Sequence, residues 1–361
     1  MFVAWRDLRS ARGRFVLIGA VVALITLLVG FLAGLTGGLA GQNVSAVLGL
    51  PGDRLVLQEP SDGQPSFSES AIDADAVSAW RTASGVDAVA PIGIVQGRAT
   101  VQGDDSSAVA VALFGVPQDA PGSTVTDLAP TTDDTVGLSA GAADDLGASV
   151  GDEVTIAGST YRVAVVGGDA WYSHTPVVAL SPTAWAQADE RLGGDGSATV
   201  LAVSGSPDWD AVADRTGTSA ATPLGSLTAL ETFRSEVGSL GLMIVMLFGV
   251  SALVVGAFFT VWTLQRAGDV AVLKALGASD AALVRDALGQ AFVVLVLGIG
   301  VGTALVAGLG ALAGGALPFL LSPLTTLLPA AVMVLLGLAG AAVALRTVTH
   351  ADPLTALGSN R

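Results

Sequence analysis

Gly137-Leu-Ser139-Ala-Gly141 is the segment whose residue types and spacing come nearest to bond-breaking chemistry. A G-x-S-x-G run can present a serine hydroxyl on a sharp strand-to-helix turn, where a histidine and a carboxylate activate it. His174 and several aspartates are available to complete such a triad. The turn needs a buried strand before the serine and a long helix after it. Only Thr135-Val136 precede Ser139 as strand formers, and the helical pattern stops at Gly147. Ser139 reads better as the N-cap of a short helix, its hydroxyl accepting from a backbone N–H one turn on. Other catalytic sets are missing from the sequence. It holds no Cys and only two His, His174 and His350, which argues against thiolate and histidine metal clusters. The one lysine, Lys274, is followed by Ala275 and lacks the glycine loop of a nucleotide-binding P-loop. The expectation is a non-catalytic chain with no permanently bound cofactor.

The elements around these residues are membrane elements. Of 361 residues, 52% are hydrophobic and 13% charged, too apolar for a soluble protein of this length. A bilayer-spanning helix needs about 20 apolar residues. Residues 15–37 and 237–265 meet that requirement. Residues 287–345 carry no charge at all, too long a run for one crossing, and suit two crossings at 287–314 and 329–345. Pro318, Pro323 and Pro329 mark an outer turn over 315–328. None of the four spans carries a central charge, which weighs against a proton relay. Gly30, Gly34 and Gly38 stand four apart, as do Gly298 and Gly302, and Gly310 and Gly314. Small residues at that spacing let two helices approach closely.

Charge sets the expected orientation. Residues 38–236 hold 7 Lys and Arg against 26 Asp and Glu, whereas the rest of the chain holds 9 against 5. Arg6, Arg9, Arg12 and Arg14 precede the first span, opposed only by Asp7. Basic flanks face the cytoplasm, which places both termini inside and 38–236 outside. An acidic outer block also argues against nucleic acid as a partner. In that block strand-like runs recur at Arg54–Leu57, Gly93–Val101, Ala108–Phe114, Glu153–Ile156, Tyr161–Val166 and Thr199–Val203. Helical patterns sit between them at Asp73–Ala83, Ser139–Leu146, Pro182–Arg191 and Asp208–Thr216. The fold class is therefore four transmembrane α-helices with an α+β extracytoplasmic domain of about two lobes inserted between helices 1 and 2.

Three segments outside the spans carry further signals. Residues 1–14 place Phe2, Trp5 and Leu8 on one helical face and arginines on another, as in a helix lying on a membrane. Between spans two and three, residues 266–286 place Val270, Leu273 and Leu276 at helical spacing beside Asp269 and Lys274. Gly277 is placed to end that helix, and Ser279-Asp280 to start the next. On pattern alone an ordinary connecting loop reads equally well. The tail, 346–361, contains Ala351-Asp352-Pro353-Leu-Thr-Ala356-Leu357.

The run from Arg266 through Asp269, Leu273 and Lys274 to Gly277-Ala278 resembles the cytoplasmic segment after the second span of MacB/FtsX-type ABC transporter permeases. The opening helix is similar to the family's elbow helix, and the tail to its "DPxxAL" ending. Val150-Gly-Asp152-Glu-Val-Thr-Ile156 resembles the "VGDxVxI" hairpin of its outside domain. The resemblance implies a homodimeric permease of the cell membrane that works with two copies of a separate ABC ATPase, on which ATP is bound. It implies that Asp269, Val270, Leu273, Lys274, Leu276 and Gly277 couple the two subunits. Met1-Phe2, Ala4-Trp5, Gly34-Leu35, Gly38-Leu39-Ala40, Asn43 and Ser45-Ala46-Val47 resemble the haem-exporting (HrtB-type, DevC-like) branch. Haem is then the implied substrate. Glu231, Glu236, Met243 and Met246, near the outer boundary of the second span, are the candidate ligands of its iron. Packing would equally explain the methionines, and a solvated helix end the glutamates. A lipoprotein, peptide or drug permease, and a division-type regulator of a cell-wall hydrolase, share the same architecture.

The expected topology has a direct test. With Ser106→Cys and Ser359→Cys made singly, an impermeant maleimide applied to intact cells should label the first and spare the second. Labelling of the second would invert the topology.

Overall fold

The structure is a computed structural model that describes residues 12–101, 108–120, 122–265, 268, 272, 277, 279–313 and 317–349. The elbow residues 1–11, most of the 266–278 segment and the tail residues 350–361 lie outside the described residues. The chain divides into two units. One comprises Leu39–Val237, and the other Met1–Gly38 with Gly238–Arg361.

Four long helices dominate the second unit. They are α1 (Arg12–Leu48), α7 (Glu231–Gln265), α8 (Asp280–Ala313) and α9 (Pro323–Thr349). Over Phe15–Leu48, Glu231–Trp262, Ala281–Ala313 and Pro323–Val343 they are long and apolar enough to cross a bilayer. The first two helices overrun the expected spans, α1 past residue 37 and α7 before residue 237. The start of α8 follows the expected chemistry. Gly277 has φ +92 and breaks the chain, and the Ala282 N–H donates to Ser279 Oγ at 3.3 Å. The outer turn departs from expectation. Ser322 caps α9 by accepting from the Thr325 N–H at 3.1 Å, and Pro323 takes the first helical position, where its missing N–H costs nothing. Pro329 lies inside this helix rather than in a turn. It omits one backbone bond, which membrane helices tolerate.

The helices meet through glycine. Ile18, Val22, Phe259, Trp262, Leu295, Ile299 and Met333 form the buried centre of the bundle. Around it, α1 and α8 approach so closely that a Cβ on Gly302 would lie 2.6 Å from the Ala23 carbonyl, and one on Gly298 2.9 Å from that of Gly19. The Gly34 and Gly310 notches both receive the Phe319 ring, and the Gly34 carbonyl accepts from the Leu320 N–H at 3.0 Å. Gly30 takes the Val306 side chain. Thus the glycine ladders of the sequence serve contacts between α1, α8 and the outer turn. Gly314 lies outside the described residues.

Ten strands organise the other unit: β1 (Arg54–Gln58), β2 (Val86–Val101), β3 (Val109–Gly115), β4 (Thr135–Leu138), β5 (Glu153–Ile156), β6 (Ser159–Val166), β7 (Trp171–Tyr172), β8 (Thr175–Leu180), β9 (Val200–Gly205) and β10 (Thr218–Ala221). The first lobe is the antiparallel sheet β10-β1-β9-β2. Helices α2 (Ala74–Thr82) and α5 (Trp209–Thr216) cover it, and Trp80 is fully buried beneath them. The second lobe is a ring. From β2 it passes through β3, β8, β4, β6 and β5, and β5 pairs back to β2 at Ala99–Val101. Helices α3 (Ala140–Leu146) and α4 (Pro182–Leu192) pack on the ring. The 16-residue strand β2 belongs to both lobes. The short helix α6 (Pro223–Ser226) leads toward α7.

Each of the four helical patterns read in this unit is capped by the residue before it. Asp73, Ser139, Ser181 and Asp208 accept from the N–H three residues on, at 2.7, 3.3, 3.1 and 3.2 Å. Strand β4 departs from expectation: a buried strand does precede Ser139. Its Gly137 is demanded by the Leu128 carbonyl, which would sit 2.0 Å from a Cβ there. The strand runs on past Thr135-Val136 through Gly137 and Leu138, with Gly137 under a close neighbour.

Overpacking a buried helix contact costs about 1–3 kcal/mol. Gly302→Val should therefore lower the thermal unfolding midpoint of the purified protein in detergent. Gly300→Val, where a Cβ meets nothing within 4 Å, should leave it unchanged. Equal midpoints for the two variants would refute the α1–α8 contact.

Candidate functional site

Three elements converge where the Leu39–Val237 unit holds the end of α1 and the start of α7. The third is the β7–β8 hairpin. Its two-residue loop, Ser173-His174, has φ +47 and +65, and Tyr172 pairs with Thr175 across it. Positive φ at both loop positions gives the primed turn whose twist suits a tight hairpin. For residues other than glycine this conformation is costly, so neighbouring bonds must hold it. They do. The N–H groups of Ser173 and His174 donate to the carbonyls of Asn43 and Gln42, each at 3.0 Å. Nearby, the Trp171 N–H donates to Ser45 Oγ at 2.9 Å.

Side chains then carry the hairpin across to α7. His174 Nε2 lies 2.7 Å from Glu236 Oε1. Asn43 is fully buried, and both ends of its amide are bonded. Its Nδ2 donates to Glu236 Oε2 at 3.3 Å, and its Oδ1 accepts from Thr232 Oγ1 at 2.9 Å. Ser173 Oγ and Thr232 Oγ1 are 3.2 Å apart. A buried amide left unbonded would be expensive, so this network ties the three elements firmly.

Beside the network lies a cleft of about 440 Å³. Phe67, Ile94, Tyr172 and Leu230 give it an apolar wall, and Gln96 and Glu231 add polar groups. Burial pushes the Tyr172 phenol well above its usual range, and the charge of Glu231 adds to the effect. Tyr172 therefore stays protonated at any physiological pH.

The four candidate iron ligands are distributed along α7. Glu231 borders the cleft, whereas Glu236 is engaged by His174 and Asn43. Met243 and Met246 are 53% and 63% exposed on the surface of the helix, so they do not fill a gap within this chain. At about 100° per residue Glu236 and Met243 fall about 20° apart on α7, and Met246 falls about midway between Met243 and Glu231. Of the coupling residues, Asp269, Val270, Leu273, Lys274 and Leu276 lie outside the described residues, and Gly277 sits in a turn. Among the described residues, no group of three or more His, Cys, Asp or Glu could hold a metal ion. Ser139 makes no nucleophile. Its hydroxyl is fully buried and accepts from the N–H groups of Ala142 at 3.3 Å and Val177 at 3.1 Å. His174, its supposed base, is occupied with Glu236.

The reading by sequence missed the Asn43–Thr232–Glu236–His174 network. Its members lie up to 193 residues apart, and no spacing rule joins them. The signal available was a single histidine in a strongly acidic domain.

Residues 16–219 match the MacB-like periplasmic core domain, and residues 241–353 match the FtsX-like permease C-terminal domain. The chain belongs to the MacB/FtsX-type family of ABC transporter permeases. It is the multi-pass membrane subunit of such a transporter, and the family architecture implies an ABC ATPase as its partner. The permease is 23% identical over 368 residues to a Staphylococcus haemolyticus protein named for a hemin transport system, the permease HrtB, covering 99% of both chains. It is 26% identical over 384 residues to an uncharacterised ABC transporter permease of Mycobacterium tuberculosis, again over 99% of both.

The role of Ser139 in the permease has its own test. Ser139→Ala removes the N-cap of α3 and one of the two acceptors of the Val177 N–H, which keeps the Ala170 carbonyl, so it should lower stability by about 1 kcal/mol in denaturant unfolding. An unchanged unfolding midpoint would argue against the capping role.

Proposed function

We propose that this permease exports haem from the membrane, working as a homodimer with two ATPase subunits. The observation that carries the reading is the likeness to HrtB along the whole chain, at 23% identity over 99% of both proteins. The exposure of Met243 and Met246 on α7 supports it, because a thioether must be free of packing to meet a ligand. Haem is an apolar disc with an iron at its centre and two carboxylates at one edge. A site reached sideways from the outer leaflet suits it. Glu231, Glu236, Met243 or Met246 would offer the iron an axial ligand. Both termini lie in the cytoplasm in this reading. ATP-driven closure of the ATPase pair acts on the segment Asp269–Gly277, and the movement passes through the spans to the extracytoplasmic domain.

Hemin added to the permease purified with its ATPase should give a Soret band at micromolar concentration. Alanine at Glu231, Glu236, Met243 or Met246 should shift or abolish that band in at least one case. Absence of binding by the unsubstituted protein would remove haem as the cargo. A lipoprotein, peptide or drug would then be the cargo, or the chain would be a division-type regulator. Binding with four unchanged spectra would instead move the site elsewhere.

A further inference from the structure

Helices α1 and α7 each run unbroken from an apolar span into the extracytoplasmic unit. Within that unit their ends are joined to each other and to the β7–β8 hairpin. The join has three layers, linked through Asn43 and Glu236. Backbone N–H groups of the hairpin loop bond to carbonyls of α1 at Gln42 and Asn43. The buried Asn43 amide bonds to Thr232 and Glu236 of α7. His174 closes the triangle from hairpin to α7 through Glu236.

The chemistry of the join favours a part that stays shut. The Asn43 amide is fully buried, so separating the helices would leave both its ends short of partners. The hairpin loop holds two consecutive non-glycine residues at positive φ, and the α1 carbonyls hold it there. Opening the join would also part the apolar packing around it, where Val44, Val47 and Tyr172 are buried in one core with Phe233 against them.

We propose that His174, Asn43 and Glu236 are positioning residues that lock the extracytoplasmic ends of α1 and α7 into one rigid strut throughout the ATP cycle. The two helices then deliver movement to the domain as a single body. Neither helix shifts against the other at this level. The proposal concerns the permease whatever its cargo, so its test needs no haem and fails or stands apart from the export reading.

The chain holds no Cys, so spin labels can be placed without removing native thiols. Leu48→Cys on α1 and Ser235→Cys on α7 are both exposed positions. The labelled permease is assembled with unlabelled ATPase in nanodiscs and diluted with unlabelled copies, so that only pairs within one chain report. Distances are measured by pulsed electron paramagnetic resonance without nucleotide and after trapping with ATP and vanadate. Loss of ATP hydrolysis confirms the trapping. The expected result is one narrow distance, the same in both states. In His174→Ala/Glu236→Ala the distance should become nucleotide-dependent, which a mere loss of stability would not produce. Ser173→Ala/Thr232→Val is the milder variant should the first fail to assemble. A shift on trapping in the unsubstituted strut overturns the proposal. So does an unchanged narrow distance in the variants.

Discussion

Hydrocarbon gives two helices no reason to meet. Lipid tails are as apolar as leucine, so association rests on close packing and on hydrogen bonds made inside the protein. That constraint explains the composition of the spans. Where α1 and α8 touch, glycine lets backbone come to backbone, as at Gly302 and Ala23. Around these contacts, Leu17, Leu24, Leu253, Leu297 and Leu335 are exposed on the outside of the bundle. The same constraint shapes the helix ends. Ser279 and Ser322 satisfy backbone donors that no water would reach deeper in the bilayer.

Beyond the spans the solvent changes, and so does the means of holding parts together. The extracytoplasmic unit has apolar cores of the usual kind, with Trp80, Phe114 and Leu201 fully removed from water. The ends of α1 and α7 share that packing, through Val44, Val47 and Phe233, and are held as well by polar groups, through Asn43, Thr232, Glu236 and His174. Apolar packing is non-directional, whereas a buried amide bonded at both ends fixes position and angle. A segment that must be placed, rather than only stabilised, is served better by the second.

Legibility followed the range over which each signal acts. Spans were readable because twenty uncharged residues admit few alternatives. Helix starts were readable because a cap acts over three residues, as at Asp73 and Ser181. Strand β8 carried no alternation: five of its six residues are buried, since its faces lie inside the ring and against helices. Strand β4 was hidden by Gly137, whose cause is the distant Leu128 carbonyl. Pro323 and Pro329 looked alike in sequence, but one starts α9 and the other lies within it. Of the candidate site, Glu231 borders a cleft, while the partners of Glu236 come from residues 43 and 174, beyond any local rule. Asn43 and Ser45 had been noticed only as part of a pattern. The hairpin they grip supplies the physical reason for them.

Strand β2 remains the most demanding piece of the extracytoplasmic unit. Its first half is a ladder rung of the open sheet, and its second half closes the ring. The two lobes thus share a spine instead of a linker. A linker can bend while both its neighbours stay folded. A shared strand hands each lobe the other's motion, because its pairing with β9, from Val86 to Ile92, runs straight into its pairing with β3, from Gly93. Fraying of either lobe would therefore loosen an element of the other.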